Sequence, residues 1–370
     1  MKYPRVIIDL KKLENNIEQI VRVAKREAGC TTLALVTKGH CADAEIVKLI
    51  AKNPDVDYLA DSRIENIKKY YDALGTSASG KLNGGKKTMM LRIPMQSELA
   101  DIVKYIDLCQ ISEIETIKLL NREAASAGKV QDILLMIDMG DLREGLIFTD
   151  RERIHEVVSE ILKLANISLR GISVNMNCYG AIIPKEDNLS EFVSIARETE
   201  EKHGISLDVI SGGNSGTIYL AEAGKLPIGI TNLRIGEGYL QGTESSYAGN
   251  VSGADQDAFV LEAEIVEVQT KPSLPIGESG LDAFGHAPYY EDKGDMKRAI
   301  IAVGKQDTEL DSMTPLDAKI GIMGGSSDHI IIDITNCDKE YDVGDAVKFR
   351  LGYSGMLRAM TSEYVAKTYK

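Results

Sequence analysis

Polar clusters interrupt the apolar runs of this chain where those runs end. Lys38 closes "TLALVTK" (32–38), Arg143 follows "DILLMIDM" (132–139) in "GDLREG", and Asn175 and Asn177 end "LRGISVNM" (169–176) in "SVNMNCYG". "VISGG" (209–213) runs into "SGGNSGTIYL", which carries Asn214 and Ser215, and "NLRIG" (232–236) carries Arg234 and Gly236, followed by Glu237. A lysine in a low-dielectric mouth, or near other cations, loses proton affinity and can attack a carbonyl. Glycine-bearing turns that open helices turn backbone N–H groups toward an anion. Each residue also has a plain reading. A strand-end lysine is solvated, the glycine turn is an ordinary connection, Arg234 pairs with a carboxylate, and the two asparagines cap backbone groups.

The elements decide whether these clusters meet. With "YLAD" (58–61), "MMLRI" (89–93) and "LCQI" (108–111), the chain has eight short β-runs in its first 245 residues. Several have continuous apolar cores, as parallel strands covered on both faces do. Helical periodicity fills the gaps: Leu13, Ile17, Ile20 and Ala24 share a face, as do Ile64, Ile67 and Tyr70. Ser112 and Gly128 frame one helix as N-cap and terminal glycine, and Asp150 caps the next. Eight runs alternating with helices predict an α/β fold built on a (β/α)8 barrel, with a doubly wound sheet as the competing architecture. In a barrel every cluster named above lies on one face, at the carboxyl ends of the strands, and the two glycine turns fall where barrels hold phosphate. A lysine, a phosphate cradle and an arginine together point to pyridoxal phosphate. Beyond residue 245 strands follow one another with turns between, which predicts a mostly β domain. The expected boundaries are 1–245 and 246–370, with the first few residues packed on the second domain.

Composition narrows the function. The net charge of −13 leaves no basic excess for nucleic acid or an anionic membrane surface. The five cysteines (Cys30, Cys41, Cys109, Cys178, Cys337) form no CxxC pair, so neither a metal site nor a disulfide framework is expected, and a reducing cytoplasm fits. "MKYPRVIIDLKKLENN" is too short in apolar residues for a signal peptide, and no apolar run reaches the roughly 18 residues that span a bilayer.

Taken in order along nearly the whole chain, these motifs resemble the alanine-racemase-like (fold type III) pyridoxal phosphate enzymes, and among them the ornithine racemase branch. "LVTKGH" resembles the segment that carries the cofactor lysine, which implies Lys38. "NSGT" matches the phosphate-binding turn, implying Asn214 and Ser215, and "LRIGEG" implies Arg234 against the pyridine nitrogen with the amides of Gly236 and Glu237 at the phosphate. "LGYSGMLRAMTSEYV" implies Tyr353 as a further phosphate ligand. Arg143 matches the substrate-side arginine, while Asn175 stands where alanine racemases place a histidine over the ring and Met136 where they carry a modified lysine. "VGKQD" aligns with the segment of their tyrosine base and puts Lys305 in that slot, followed by Asp307. "GGSSDHIIID" resembles the loop that reaches a partner's site, which makes Ser327 and Asp328 candidates.

The resemblance implies a homodimer with shared sites that racemises ornithine or a related basic amino acid, with Lys38, Lys305 and Asp328 as catalytic candidates. Asp138, Asp141 and Glu144 are candidates to bind a distal ammonium. Three alternatives stand beside it: a non-catalytic cofactor-homeostasis protein, which would lack the second domain, an alanine or serine racemase, and a decarboxylase or D-threonine-aldolase-like relative. The aldolase needs a late metal-binding His/Cys pair, which His329 and Cys337 do not make convincingly. His40 and His329 are equally structural hydrogen-bonders.

Overall fold

"TLALV" has no polar alternation, so a strand built from it needs apolar cover on both faces. The computed structural model, which describes residues 2–78, 80–281, 285, 287 and 289–370, supplies that cover. The chain opens with β1 (Arg5–Ile8) and α1 (Leu10–Val21). Strands β2 (Thr32–Val36), β3 (Tyr58–Asp61), β4 (Lys87–Met90), β5 (Leu108–Ile111) and β6 (Gln131–Asp138) follow, then the two-residue β7 (Leu146–Ile147), β8 (Ile167–Val174), β9 (Val209–Ser211) and β10 (Asn232–Ile235). Between them run α2 (Ala44–Lys52), α3 (Ile64–Leu74), α4 (Leu99–Tyr105), α5 (Ile114–Ser126), α6 (Arg151–Ile161), α7 (Glu186–His203) and α8 (Ile218–Glu222), and α9 (Glu237–Gln241) ends the series. The ladder runs β5-β4-β3-β2-β10-β9-β8-β6, and β5 also pairs with β6, so eight parallel strands close into the barrel that the sequence predicts.

Residue parity then sorts the side chains. Ala34, Val36, Tyr58, Ala60, Met89, Leu108, Leu134 and Val209 form one buried cluster inside the barrel. Two residues further along their strands, the same inward parity brings Lys38, Gln110, Met136 and Ser211. Met136 is fully buried among these strands, as a core residue.

Local chemistry sets the helix starts. The Asp150 carboxylate accepts from the Arg153 amide (3.0 Å) and caps α6. Ser112 caps nothing: α5 begins at Ile114 after Glu113, one residue later than a serine cap requires, because Ser112 still belongs to the turn out of β5. The helical face of Leu13 to Ala24 passes from α1 into a π-helical turn, Arg22–Glu27.

Two units divide the chain, 11–256 and the first ten residues with 257–370. The second holds β11 (Phe259–Pro272), β12 (Asp295–Ile301), β13 (Met313–Pro315), β14 (Gly321–Gly325), β15 (Ile330–Asp333), β16 (Ala346–Leu351), α10 (Tyr353–Thr361) and β17 (Ala366–Tyr369). Its sheet order is β13-β16-β11-β12-β15-β14, and β1 joins by pairing antiparallel with β11 and parallel with β17. Arg5 fastens that edge through an ion pair to the buried Glu262 (2.5 Å). Among the described residues, no helix is long and apolar enough to cross a membrane.

Candidate active site

Four neighbouring strands, β2, β10, β9 and β8, end on the residues that the sequence singles out. Lys38 starts a short 3-10 turn after β2, and its side chain is exposed. That turn is pinned from two sides. Thr37 donates to the Asp61 carboxylate (2.6 Å) and meets the Tyr70 hydroxyl (2.5 Å), all three fully buried. Asp61 also accepts from Asn66 and the Arg63 amide. Burial raises its pKa, and these donors oppose the rise. On the other side, His40 Nδ1 accepts from the Asp43 amide (3.1 Å), so Nε2 carries the proton and donates to Tyr239 Oη (3.0 Å), which donates to Val36 O (3.0 Å). Burial pushes His40 down to about 3 and keeps it neutral. Cys41 and Ala42 leave the turn at a φ of 54 each, a left-handed conformation that non-glycine residues hold only when their surroundings impose it.

The glycine-rich turn after β9 is built around Asn214. Its oxygen accepts from the Gly216 amide (2.8 Å), and its nitrogen donates to Met176 O (2.8 Å) and Asn175 Oδ1 (3.1 Å), tying the turn to the end of β8. Gly213 sits at φ +126, and a Cβ there would lie 2.4 Å from Thr217 Oγ1. Ser215 Oγ accepts from the amides of Gly236 (3.3 Å) and Gly238 (3.1 Å), which leaves its own proton free to donate outward. Asn175 Nδ2 is buried and has no hydrogen-bond partner. Asn177 donates to Ser245 Oγ (3.2 Å), and Ser246 Oγ donates to Gly216 O (2.8 Å), two serines that the sequence motifs do not single out. Glu237 turns its carboxylate to Thr243 Oγ1 (3.2 Å), and burial raises its pKa.

Arg234 points into the barrel and is 3% exposed. It donates to Val174 O (2.6 Å), to the Ser211 hydroxyl and to Ser211 O (3.3 Å). Burial pulls its pKa down to about 10. Ser211 lay in view in "ISGGNSG", but nothing in that string shows that it faces an arginine. Arg143 differs: it is exposed and clasped by both oxygens of Glu144, which raises its pKa. Two of the acids proposed for a distal ammonium gather backbone amides. Asp138 accepts from the amides of Gly140 and Leu142, and Asp141 from those of Cys178, Tyr179 and Ile182. Both carboxylates hold the rim loops in shape.

The β unit gathers its own candidates. The Lys305 amide donates to Ser326 O (2.9 Å) and the Gln306 amide to Ser327 O (3.2 Å), which sets the two segments side by side. A Cβ on Gly304 would lie 1.9 Å from Ser327 O, so only glycine permits the approach. Ser327 Oγ donates to Asp328 (2.5 Å), both exposed. Asp307 is buried and accepts from Ser362 Oγ (2.7 Å), a structural role. Tyr353, half-buried, begins α10. Among the described residues no cluster of His, Cys, Asp or Glu could hold a metal ion.

Over 365 residues the chain is 48% identical to the ornithine racemase of Acetoanaerobium sticklandii, covering 99% of each. It is 35% identical to the lysine racemase of Thermotoga maritima over 370 residues, 100% of this chain and 99% of that one. Two solved structures share the fold. The alanine racemase of Clostridium difficile 630 has a TM-score of 0.73 at 19% identity and covers 99% of this chain and 95% of its own. That of Bartonella henselae, with covalently bound pyridoxal phosphate, has a TM-score of 0.71 at 14% identity and covers 99% of each. Residues 8–240 match the family described as alanine racemase, N-terminal domain, and the chain belongs to that family.

Proposed function

We propose that this protein is a pyridoxal-phosphate-dependent amino-acid racemase acting on ornithine or a related basic amino acid. The observation that carries the reading is the convergence of Lys38, Arg234, Ser215 and Asn175 at the ends of four adjacent barrel strands. The donor set suits the cofactor. The Ser215 hydroxyl and the Asn175 amide, an orphaned buried donor, are free to meet acceptor oxygens, and the exposed Lys38 amine is free to hold the aldehyde carbon. When bound, pyridoxal phosphate supplies an electron sink that makes an attached amino acid's Cα–H acidic.

Within this reading Lys38 Nζ takes up and returns a proton on one face of Cα. Arg234 keeps a cation in the barrel floor, where it discourages protonation of the ring nitrogen. Ser215, with the Glu237 amide, anchors the phosphate, and Arg143 binds the substrate carboxylate. The second face needs a second proton carrier. We assign it to Lys305 of the partner subunit, with the partner's Ser327 and Asp328 beside it, in a cytoplasmic homodimer with two shared sites. The relatives at 48% and 35% identity, an ornithine and a lysine racemase, support a basic side chain.

Incubation with each L-amino acid in D2O, followed by chiral analysis, tests the reading. Racemisation of ornithine or lysine with deuterium at Cα is expected, and retention of configuration across the panel would reject it. For the shared site, Lys38→Ala and Lys305→Ala chains are mixed under conditions of proven subunit exchange. Recovery of up to about half the wild-type specific activity is expected, since one of two sites is intact. No recovery would reject the assignment.

A further inference from the structure

Arg234 is a cation in the middle of the barrel with no carboxylate in contact among the described residues; Glu144 acts on it only through space and is itself clasped to Arg143. Among the described residues, no carboxylate forms an ion pair with it, although a buried guanidinium ordinarily has one. Neutral oxygens take its place. Two come from the backbone, Val174 O and Ser211 O, and one is the Ser211 hydroxyl. The fourth comes from across the barrel. The Gln110 amide satisfies all its neighbours in one orientation: its nitrogen donates to Leu91 O (2.9 Å), and its oxygen accepts from Ser173 Oγ (2.5 Å) and from Arg234 Nε (3.2 Å). Gln110 is 2% exposed, Ser173 and Ser211 are fully buried, and no alternative acceptor from solvent is at hand. Gln110 lies on β5 and Arg234 on β10, on opposite sides of the closed ring.

A glutamate has nearly the shape of glutamine and would pair with the guanidinium at the same distance. The amide orients the cation without cancelling its charge. We propose that Gln110 is a positioning residue whose neutral amide orients Arg234 for turnover without cancelling its charge, and that this uncancelled charge keeps the reaction on racemisation and away from transamination. The inference deepens the proposed function and rests on its placement of Arg234 against the ring nitrogen. With the cation's field cancelled, the ring nitrogen gains a proton more readily, and a second protonation site competes with Cα. In the side reaction the Cα proton moves to the cofactor carbon that bears the amine. Water then releases the 2-keto acid, and the amino group stays behind as pyridoxamine phosphate, so no external oxidant or reductant enters.

The test compares Gln110→Glu and Gln110→Leu with the wild type in two measurements. In the apoprotein, Gln110→Glu should gain thermal midpoint relative to the wild type as pH rises from about 4 to 8. The new carboxylate would have a folded pKa below its unfolded value, so its stabilisation is present above the unfolded pKa and lost as pH falls. A gain that shrinks with rising pH, or none, shows that position 110 does not face an unpaired cation and overturns the inference. In the holoprotein turning over ornithine, the ratio of pyridoxamine phosphate formed to racemisation events should rise about tenfold or more in Gln110→Glu. In Gln110→Leu, which loses the hydrogen bond but keeps the cation uncancelled, that ratio should hold while the rate falls. An equal rise in both variants reduces Gln110 to a packing role and rejects the inference. Should Gln110→Glu fail to fold, Ser211→Asp brings a carboxylate to the other side of the same guanidinium and must raise the ratio likewise. An unchanged ratio in a variant that shows the pH-dependent gain rejects Arg234's control of the reaction, while D/L interconversion in the same assay leaves the racemase reading standing.

Discussion

Arg234 and Arg143 belong to the same barrel and handle their charge in opposite ways. Arg143, on the rim loop after β6, is exposed and gripped by the neighbouring Glu144, which holds its proton more firmly. An exposed pair of that kind is worth about 0–1 kcal/mol. Arg234, in the floor, touches only neutral oxygens, and burial pulls its pKa down to about 10. The contrast extends to their neighbours. Rim carboxylates Asp138 and Asp141 are buried loop-holders that gather backbone amides. The floor around Arg234 holds an amide in Gln110 and hydroxyls in Ser173 and Ser211. Water screens the exposed Arg143 and Glu144 pair, so that pairing costs and yields little. In the floor charges are screened less, and among the described residues no carboxylate touches the Arg234 guanidinium.

Perturbations ought to divide along the same line. The largest effect is expected where the floor opens to solvent. Lys38→Ala should cut racemisation by about 10²–10⁴-fold and remove the borohydride-reducible cofactor linkage, read by mass analysis of the reduced protein. A label that persists at another lysine would move the attachment point. Next, Ser215→Ala should weaken cofactor affinity by about 1–3 kcal/mol, the loss expected for a charge-assisted hydrogen bond. Equilibrium dialysis of the cofactor measures it, and an unchanged affinity would make the turn after β9 a connection only.

His40 supplies a pH test of the buried side. Its folded pKa lies near 3 against 6.5 for a free histidine. A base whose pKa is depressed on folding contributes fully above the unfolded value and loses that contribution as pH falls. Between pH 6.5 and about 5 the wild type should therefore lose about 2 kcal/mol through this group. Denaturant unfolding of His40→Gln, which keeps an amide donor for Tyr239, should show a flatter acid limb by about that amount. Parallel acid limbs would mean that His40 titrates freely. The smallest effect is expected at the rim: Arg143→Gln should leave stability within about 0.5 kcal/mol and raise KM for the amino acid while kcat holds. A fall in kcat with KM unchanged would move Arg143 from binding to chemistry and blur the distinction between rim and floor.

Much of this was legible before any coordinates. Continuous apolar runs such as "LALV" and "LLMI" announced parallel strands, and Asp150 announced a helix start that its carboxylate indeed caps. The Asn214 and Ser215 turn was legible because glycine at φ +126 and a side-chain cap are local requirements. Ser112 misled because a serine before a helical run has the same appearance whether the turn ends at it or one residue later. The rim acids show another limit. Asp138 and Asp141 have the composition of a cation site, and only the loop's shape shows them occupied by amides.

The sequence by itself determined the alternation of strand and helix, the two glycine-bearing turns and the order of Lys38, Asn175, Ser215 and Arg234 along the chain, because each depends on residues a few positions apart. Tertiary structure alone decided what surrounds Arg234. Gln110 hides in "LCQI" as a polar residue in an apolar run, and Ser173 and Ser211 sit within ordinary strand sequence. They meet the guanidinium only because eight strands close into a ring and side-chain parity turns the three inward at one height. Closure is a property of the whole sheet, since strand number, tilt and stagger must agree around the circuit, and no local stretch of sequence contains it.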